Sequence, residues 1–115
     1  LKRDISLYVK DIVEAMEKAE KFIGSMGYEK FLLDEKTNFA VLRCIEIIGE
    51  AAKNIPEPIR KKYKEVPWRD MAGMRDKVSH FYFGIDFKKV WLTVKEDIPR
   101  LKPLIKKVLE ELKTQ

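Results

Sequence analysis

Cysteine and histidine are almost missing from this 115-residue chain. Cys44 stands alone, so neither an intrachain disulfide nor a cysteine-built zinc site can form. It sits among Leu42, Ile45 and Ile48, which favours a buried apolar role over a reactive thiol. His80 is the only imidazole. Carboxylates alone would have to hold any metal, and none gather in an Asp-x-Asp-like loop, so no resident metal or other cofactor is expected. Long hydrophobic runs are missing too. No stretch approaches the roughly 20 apolar residues of a membrane span, and no signal-like segment opens the chain, so a cytoplasmic protein without a membrane partner is expected. The chain begins at Leu1 rather than Met, which leaves room for a residue or two ahead of it. Gln115 is the only glutamine, and Asn38 and Asn54 are the only asparagines. Few thermolabile residues beside many Lys and Glu suit a thermophile, or simply a highly charged surface.

What is present is 45% hydrophobic and 37% charged, over a length that supports one core. A single domain over residues 1–115 follows. The apolar spacing is helical throughout and nothing reads as a strand. Ile5, Tyr8, Val9, Ile12, Met16, Ala19, Ile23 and Met26 recur at three and four, after a capping region at Asp4, until Gly24 and Gly27 end the helix. A short segment from Tyr28 to Leu33 leads to a second long helix, roughly Asp34 to Asn54, which Ile55-Pro56-Glu57-Pro58 stops. Pro58 can open a short helix through Tyr63, and Pro67 suits the first turn of the next, where its missing N–H costs nothing. That helix is predicted to carry Met71, Met74, Val78 and Tyr82 as far as Gly84. Asp86 caps another through Trp91 and Val94. The last runs to about Leu112, with Pro99 and Pro103 marking either a fresh start or a kinked continuation. The expected architecture is all-α: an antiparallel bundle of four main helices plus short ones.

The second long helix is over-apolar. From Ala40 to Ile55 its apolar residues span an arc of about 220°, where a surface helix needs little over 100°. It should be buried on two sides, at the centre of the bundle or between the bundle and a second copy. Its polar strip, Arg43, Glu46, Glu50 and Lys53, suits an ion-paired ladder; Glu46 with Glu50 as an acid/base pair is the sharper alternative.

The chemistry concentrates in Met74-Arg75-Asp76-Lys77-Val78-Ser79-His80-Phe81-Tyr82. A guanidinium grips phosphate as a fork. An imidazole titrates near neutral pH and moves protons. Together they are the minimum for cutting a phosphodiester without a metal. The segment from Arg60 to Lys77 holds seven cations against three anions, a net +4 of the chain's +5, which fits a polyanionic partner or a merely solvated surface. On one helix His80 would lie about 140° around from Arg75, so the two would not converge on one small target. One imidazole also falls short if one must take a proton while another gives one. A two-fold homodimer would supply two of each. Each residue also has a plainer role open to it: His80 as a hydrogen-bonded structural group, Arg75 as a surface cation, Tyr82 as core.

From about Arg3 to Leu112 the chain resembles the HepT-like branch of the HEPN superfamily. The resemblance runs through Asp34-Glu35-Lys36-Thr37, Ala40-Val41-Leu42-Arg43, Ile45-Glu46-Ile47-Ile48-Gly49-Glu50-Ala51-Ala52, Val66-Pro67-Trp68-Arg69, Met71-Ala72-Gly73-Met74-Arg75, His80-Phe81-Tyr82-Phe83-Gly84 and Val90-Trp91-Leu92-Thr93-Val94. Arg-x4-His alone is a weak motif; this ordered set is specific. The resemblance implies a dimerising helical bundle and a metal-independent endoribonuclease, the toxin of a toxin–antitoxin pair acting on RNA, with tRNA the class it suggests. The partner it implies is a minimal nucleotidyltransferase antitoxin of the MNT type. It makes Arg75 and His80 the catalytic pair and Tyr82 the hydroxyl that the antitoxin modifies with AMP. The family often carries Asn directly after the Arg, where this chain has Asp76, a carboxylate able to orient Arg75 or raise the His80 pKa. Two other classes stay open: a non-catalytic substrate-binding subunit of a nucleotidyltransferase complex, and a basic helical nucleic-acid-binding module.

Overall fold

Asp4 starts the first helix by accepting the Ser6 N–H at 2.8 Å, and Gly24 closes it by returning its own N–H to the Glu20 carbonyl. In the computed structural model, which describes residues 3–80 and 84–114, this helix is α1, Ile5–Ile23. Helix α2 covers Tyr28–Leu33 and α3 covers Glu35–Lys53. One residue makes the corner between them. The Asp34 N–H bonds the carbonyls of Lys30 and Phe31 to end α2, and its carboxylate accepts the Thr37 N–H at 3.1 Å to begin α3. Asn38, itself buried, donates to the carbonyls of Phe31 and Leu32 and so ties the end of α2 down.

Two short helices follow, α4 at Glu57–Lys62 and α5 at Trp68–Ala72. Pro58 lies in the first turn of α4 and Pro67 immediately precedes α5, where a missing N–H is harmless. Arg60 turns inward. Its Nε and Nη2 donate to the carbonyls of Ile55 and Ala52, both at 2.9 Å, at the end of α3 and just beyond it. Gly49 lets α5 come close, since a Cβ there would stand 3.4 Å from the Ala72 carbonyl oxygen.

Ion pairs between α1 and the last helix, α8 at Ile98–Lys113, show how they lie. Lys102 pairs with Glu20 and Lys106 with Glu17, so one sequence number rises as the other falls and the two helices are antiparallel. Two grooves along α1 and α3 give them the same relation: Tyr8 and Asp11 stand with Ala51 and Asn54, and Ala15 and Lys18 with Arg43 and Cys44. Ile12, Met16, Ile45, Ile48, Ile98 and Ile105 are wholly buried between the three long helices. The wide apolar arc of α3 is covered within one chain: α1 packs on it, as do α5, the following helix α6 at Met74–Lys77, and α7 at Phe87–Leu92. Ala40 and Ile47 alone of the arc's apolar residues stay partly exposed.

The expectation of one helix from Met71 to Gly84 is corrected. The chain breaks at Gly73, and α6 is a single turn. After it, the Val78 N–H bonds the Arg75 carbonyl in a three-residue step and the Ser79 hydroxyl takes the same carbonyl at 3.1 Å. The three-residue step tightens the chain where the helix stops, and the Val78 carbonyl accepts the Asp86 N–H from beyond it. Ser79–His80 (β1) instead pairs antiparallel with Gly84–Ile85 (β2), His80 opposite Gly84. Nothing in the periodicity reads as a strand, yet this two-residue ladder is present. Met71, Met74 and Val78 are nonetheless buried, as their spacing requires.

The two prolines near the end mark a continuation. Between α7 and α8, Thr93–Asp97 forms a π turn in which the Ile98 N–H reaches the Thr93 carbonyl. A proline ring crowds the carbonyl four residues back; the wide turn directly ahead of Pro99 accommodates it. Pro99 and Pro103 both face solvent.

Candidate active site

Arg75 reaches α3. Its Nε–H donates to Glu46 Oε2 at 2.6 Å, across 29 residues of sequence. Glu46 lies at the edge of the α3 apolar arc, and its side chain is only 23% exposed. Its other oxygen faces Arg43, whose Nη1 lies 3.8 Å from Glu46 Oε1 and 3.4 Å from Glu50 Oε1. The polar strip is thus ion-paired, as its spacing suggests, and one carboxylate stands between two guanidiniums.

The hydrogen bond to Glu46, then the Glu46 charge, raise the Arg75 pKa above its already high ordinary value, and the Asp76 charge adds to this. Arg75 is a permanent cation. Half of its side chain stays exposed, so the group is held on one side and open on the other. Asp76 is exposed in the first turn of α6 and acts on Arg75 through charge; the hydrogen bond goes to Glu46. The backbone of His80 lies in β1, five residues on and past the end of α6, so the helical offset of about 140° does not apply. The His80 side chain and Tyr82 lie outside the described residues.

Of the basic segment, Lys61, Lys62, Lys64, Arg69 and Lys77 are exposed, while Arg60 is spent on α3. An open groove of about 500 Å³ between α4 and α5 is lined by Glu57, Arg60, Val66, Pro67, Trp68, Arg69 and Asp70. Cys44 is buried, and burial pushes its thiol pKa up, away from reactivity. Among the described residues, no cluster of three or more His, Cys, Asp or Glu could hold a metal ion, and no helix is long and apolar enough to cross a membrane.

Glu46 is the residue that pattern reading left in the background. Its signal was its position: a carboxylate between Ile45 and Ile47 is drawn partly under the surface, where it needs a cation.

Comparison with known proteins bears on this arrangement. Residues 12–108 match the family model described as ribonuclease HepT-like. A protein of Thermococcus cleftensis named "Probable ribonuclease HepT" is 52% identical over 108 residues, covering 94% of this chain and 98% of that protein. Two proteins of Methanocaldococcus jannaschii, named as candidate RNases, are each 44% identical over 111 residues. Those alignments cover 96% of this chain and 92% and 96% of the two relatives. No solved structure matches the chain significantly.

Proposed function

Because the chain belongs to the ribonuclease HepT-like family, we propose that it is a metal-independent endoribonuclease, the toxin of a pair with an MNT-type nucleotidyltransferase. The observation that carries the reading is Arg75: a permanent cation, tethered through Nε, with half of its side chain exposed. In the reaction, the His80 imidazole takes the proton of an RNA 2′-hydroxyl. The freed oxygen attacks the adjacent phosphorus, the bond to the 5′-oxygen breaks, and that oxygen leaves with a proton. A 2′,3′-cyclic phosphate remains. Arg75 steadies the charge that builds on the phosphoryl oxygens.

A chain with one imidazole cannot take and give protons with separate groups in a single step, and a two-fold homodimer would bring a second His80. Modification of Tyr82 with AMP would set a bulky phosphodiester anion near Arg75 and His80 and repel the RNA phosphate. That is the proposed neutralisation. tRNA is the substrate class this reading favours.

The test is cleavage of a total-RNA pool in EDTA by protein that intact mass shows to be free of AMP. The parent is expected to cleave. His80→Ala should lose about 10²–10⁴-fold, the usual worth of a general acid or base, and Arg75→Ala a comparable amount. No cleavage by unmodified parent, together with a stable complex with the transferase, would instead assign the chain as a non-catalytic binding subunit. The exposed Asp76 carboxylate, an anion beside the phosphate site, would then be the first cause to examine.

A further inference from the structure

We infer that Glu46 is the positioning residue of the site: it acts on RNA only through Arg75, by fixing the guanidinium so that its terminal edge faces the phosphate. The inference rests on the proposed role of Arg75 and adds a residue from another element to it.

A guanidinium can meet an oxyanion side-on, through Nε and one Nη, or end-on, through both Nη atoms. Glu46 takes Nε at 2.6 Å and so commits the side of the fork. Among the described residues no other group bonds the Arg75 guanidinium, and half of the side chain is exposed. The end-on edge is therefore the one left to a ligand. Arginine carries large rotamer freedom, and a short charge-assisted bond removes much of it before substrate arrives. The anchor is itself braced. Glu46 projects from α3, whose neighbouring Ile45 and Ile48 are wholly buried, and Arg43 lies against its second oxygen.

The charge argues the same way. A carboxylate beside a phosphate-binding arginine lowers the local positive potential, so Glu46 weakens ground-state attraction for RNA. Its benefit has to lie in geometry. Glu46 and Asp76 together also leave the site less cationic than its arginine suggests, which sets transition-state contact above general adhesion to RNA.

The experiment is a double-mutant cycle on single-turnover cleavage of an RNA oligonucleotide by unmodified protein, combining Glu46→Ala with Arg75→Lys. Glu46→Ala should lower kcat by 10- to 100-fold, the scale of a group displaced by about an ångström. KM should stay level or fall, because an anion has been removed. Glu46→Gln, which keeps an acceptor of the same shape, should recover most of the rate. In the Arg75→Lys background Glu46→Ala should cost little more, because its intermediary is gone. Independent, multiplying losses would overturn the positioning role, as would a raised KM with kcat intact. Unchanged cleavage by Glu46→Ala beside a crippled Arg75→Lys would overturn this inference alone. Full activity of Arg75→Lys would overturn the reading of Arg75 beneath it. Thermal melts of each variant separate these outcomes from lost folding.

Discussion

At the residue scale, single carboxylates carry unusual weight. Asp34 ends one helix and begins the next, and Glu46 sets the direction of Arg75. The Thr37 N–H holds the Asp34 carboxyl below its ordinary pKa, with lysines 30 and 36 adding to the effect. A folded-state pKa below the unfolded one means stability that is complete above about pH 4 and lost as pH falls through the lower folded value. Asp34→Ala should therefore melt earlier than the parent at pH 7, and the gap should close on acidification. Melting curves from pH 7 down to about 3 measure this; a gap that widens in acid would refute the capping role. Arg60 belongs at this scale too. It counts toward the basic segment in sequence, but its guanidinium spends two donors on the carbonyls of Ala52 and Ile55.

At the element scale, the decisive feature is the arrest of α6 after one turn. The Val78 N–H takes the Arg75 carbonyl in a three-residue step, and the Asp86 N–H bonds the Val78 carbonyl at 2.7 Å. Gly84 then sits at φ 80, a left-handed conformation that a side chain resists. A Cβ there meets no atom within 4 Å, so the cost of Gly84→Ala is conformational alone, about 1–2 kcal/mol. Denaturant unfolding should report a loss of that size. Cleavage should fall further than stability accounts for, since β2 pairs with the strand that carries His80. Cleavage that merely tracks the folded fraction would separate the ladder from the site. Much of the rest of the element map was legible. Asp4, Asp34 and Asp86 cap the helices they precede, and Pro58 and Pro67 stand where a helix tolerates them. The ladder was not legible, because two residues cannot display a period, and Met71, Met74 and Val78 keep helical spacing across the break.

At the scale of the whole molecule, charge is segregated. The three long helices hold most of the core, and in sequence the exposed lysines of α4 and the loop after it precede the segment that carries Arg75. Contacts from such lysines to phosphates release counterions, so RNA binding should weaken as salt rises. The combined variant Lys61→Ala, Lys62→Ala, Lys64→Ala should flatten the slope of log affinity against log salt by about 2, at roughly 0.7 for each single-strand contact. Titrations at several salt concentrations measure this, and an unchanged slope would place the RNA elsewhere.

By itself the sequence determined the helical class, the order of the elements and most of the core, and it singled out the segment proposed to carry the chemistry. Those follow from spacing, capping residues and charge, all local or periodic properties. Only the tertiary structure decided that the arc of α3 is covered inside one chain, that the helix carrying Arg75 stops before His80, and that Arg75 is held by Glu46. Each of these depends on groups that meet across space. A carbonyl that accepts from just beyond the next strand, or a carboxylate 29 residues away, leaves no mark on the periodicity of the chain.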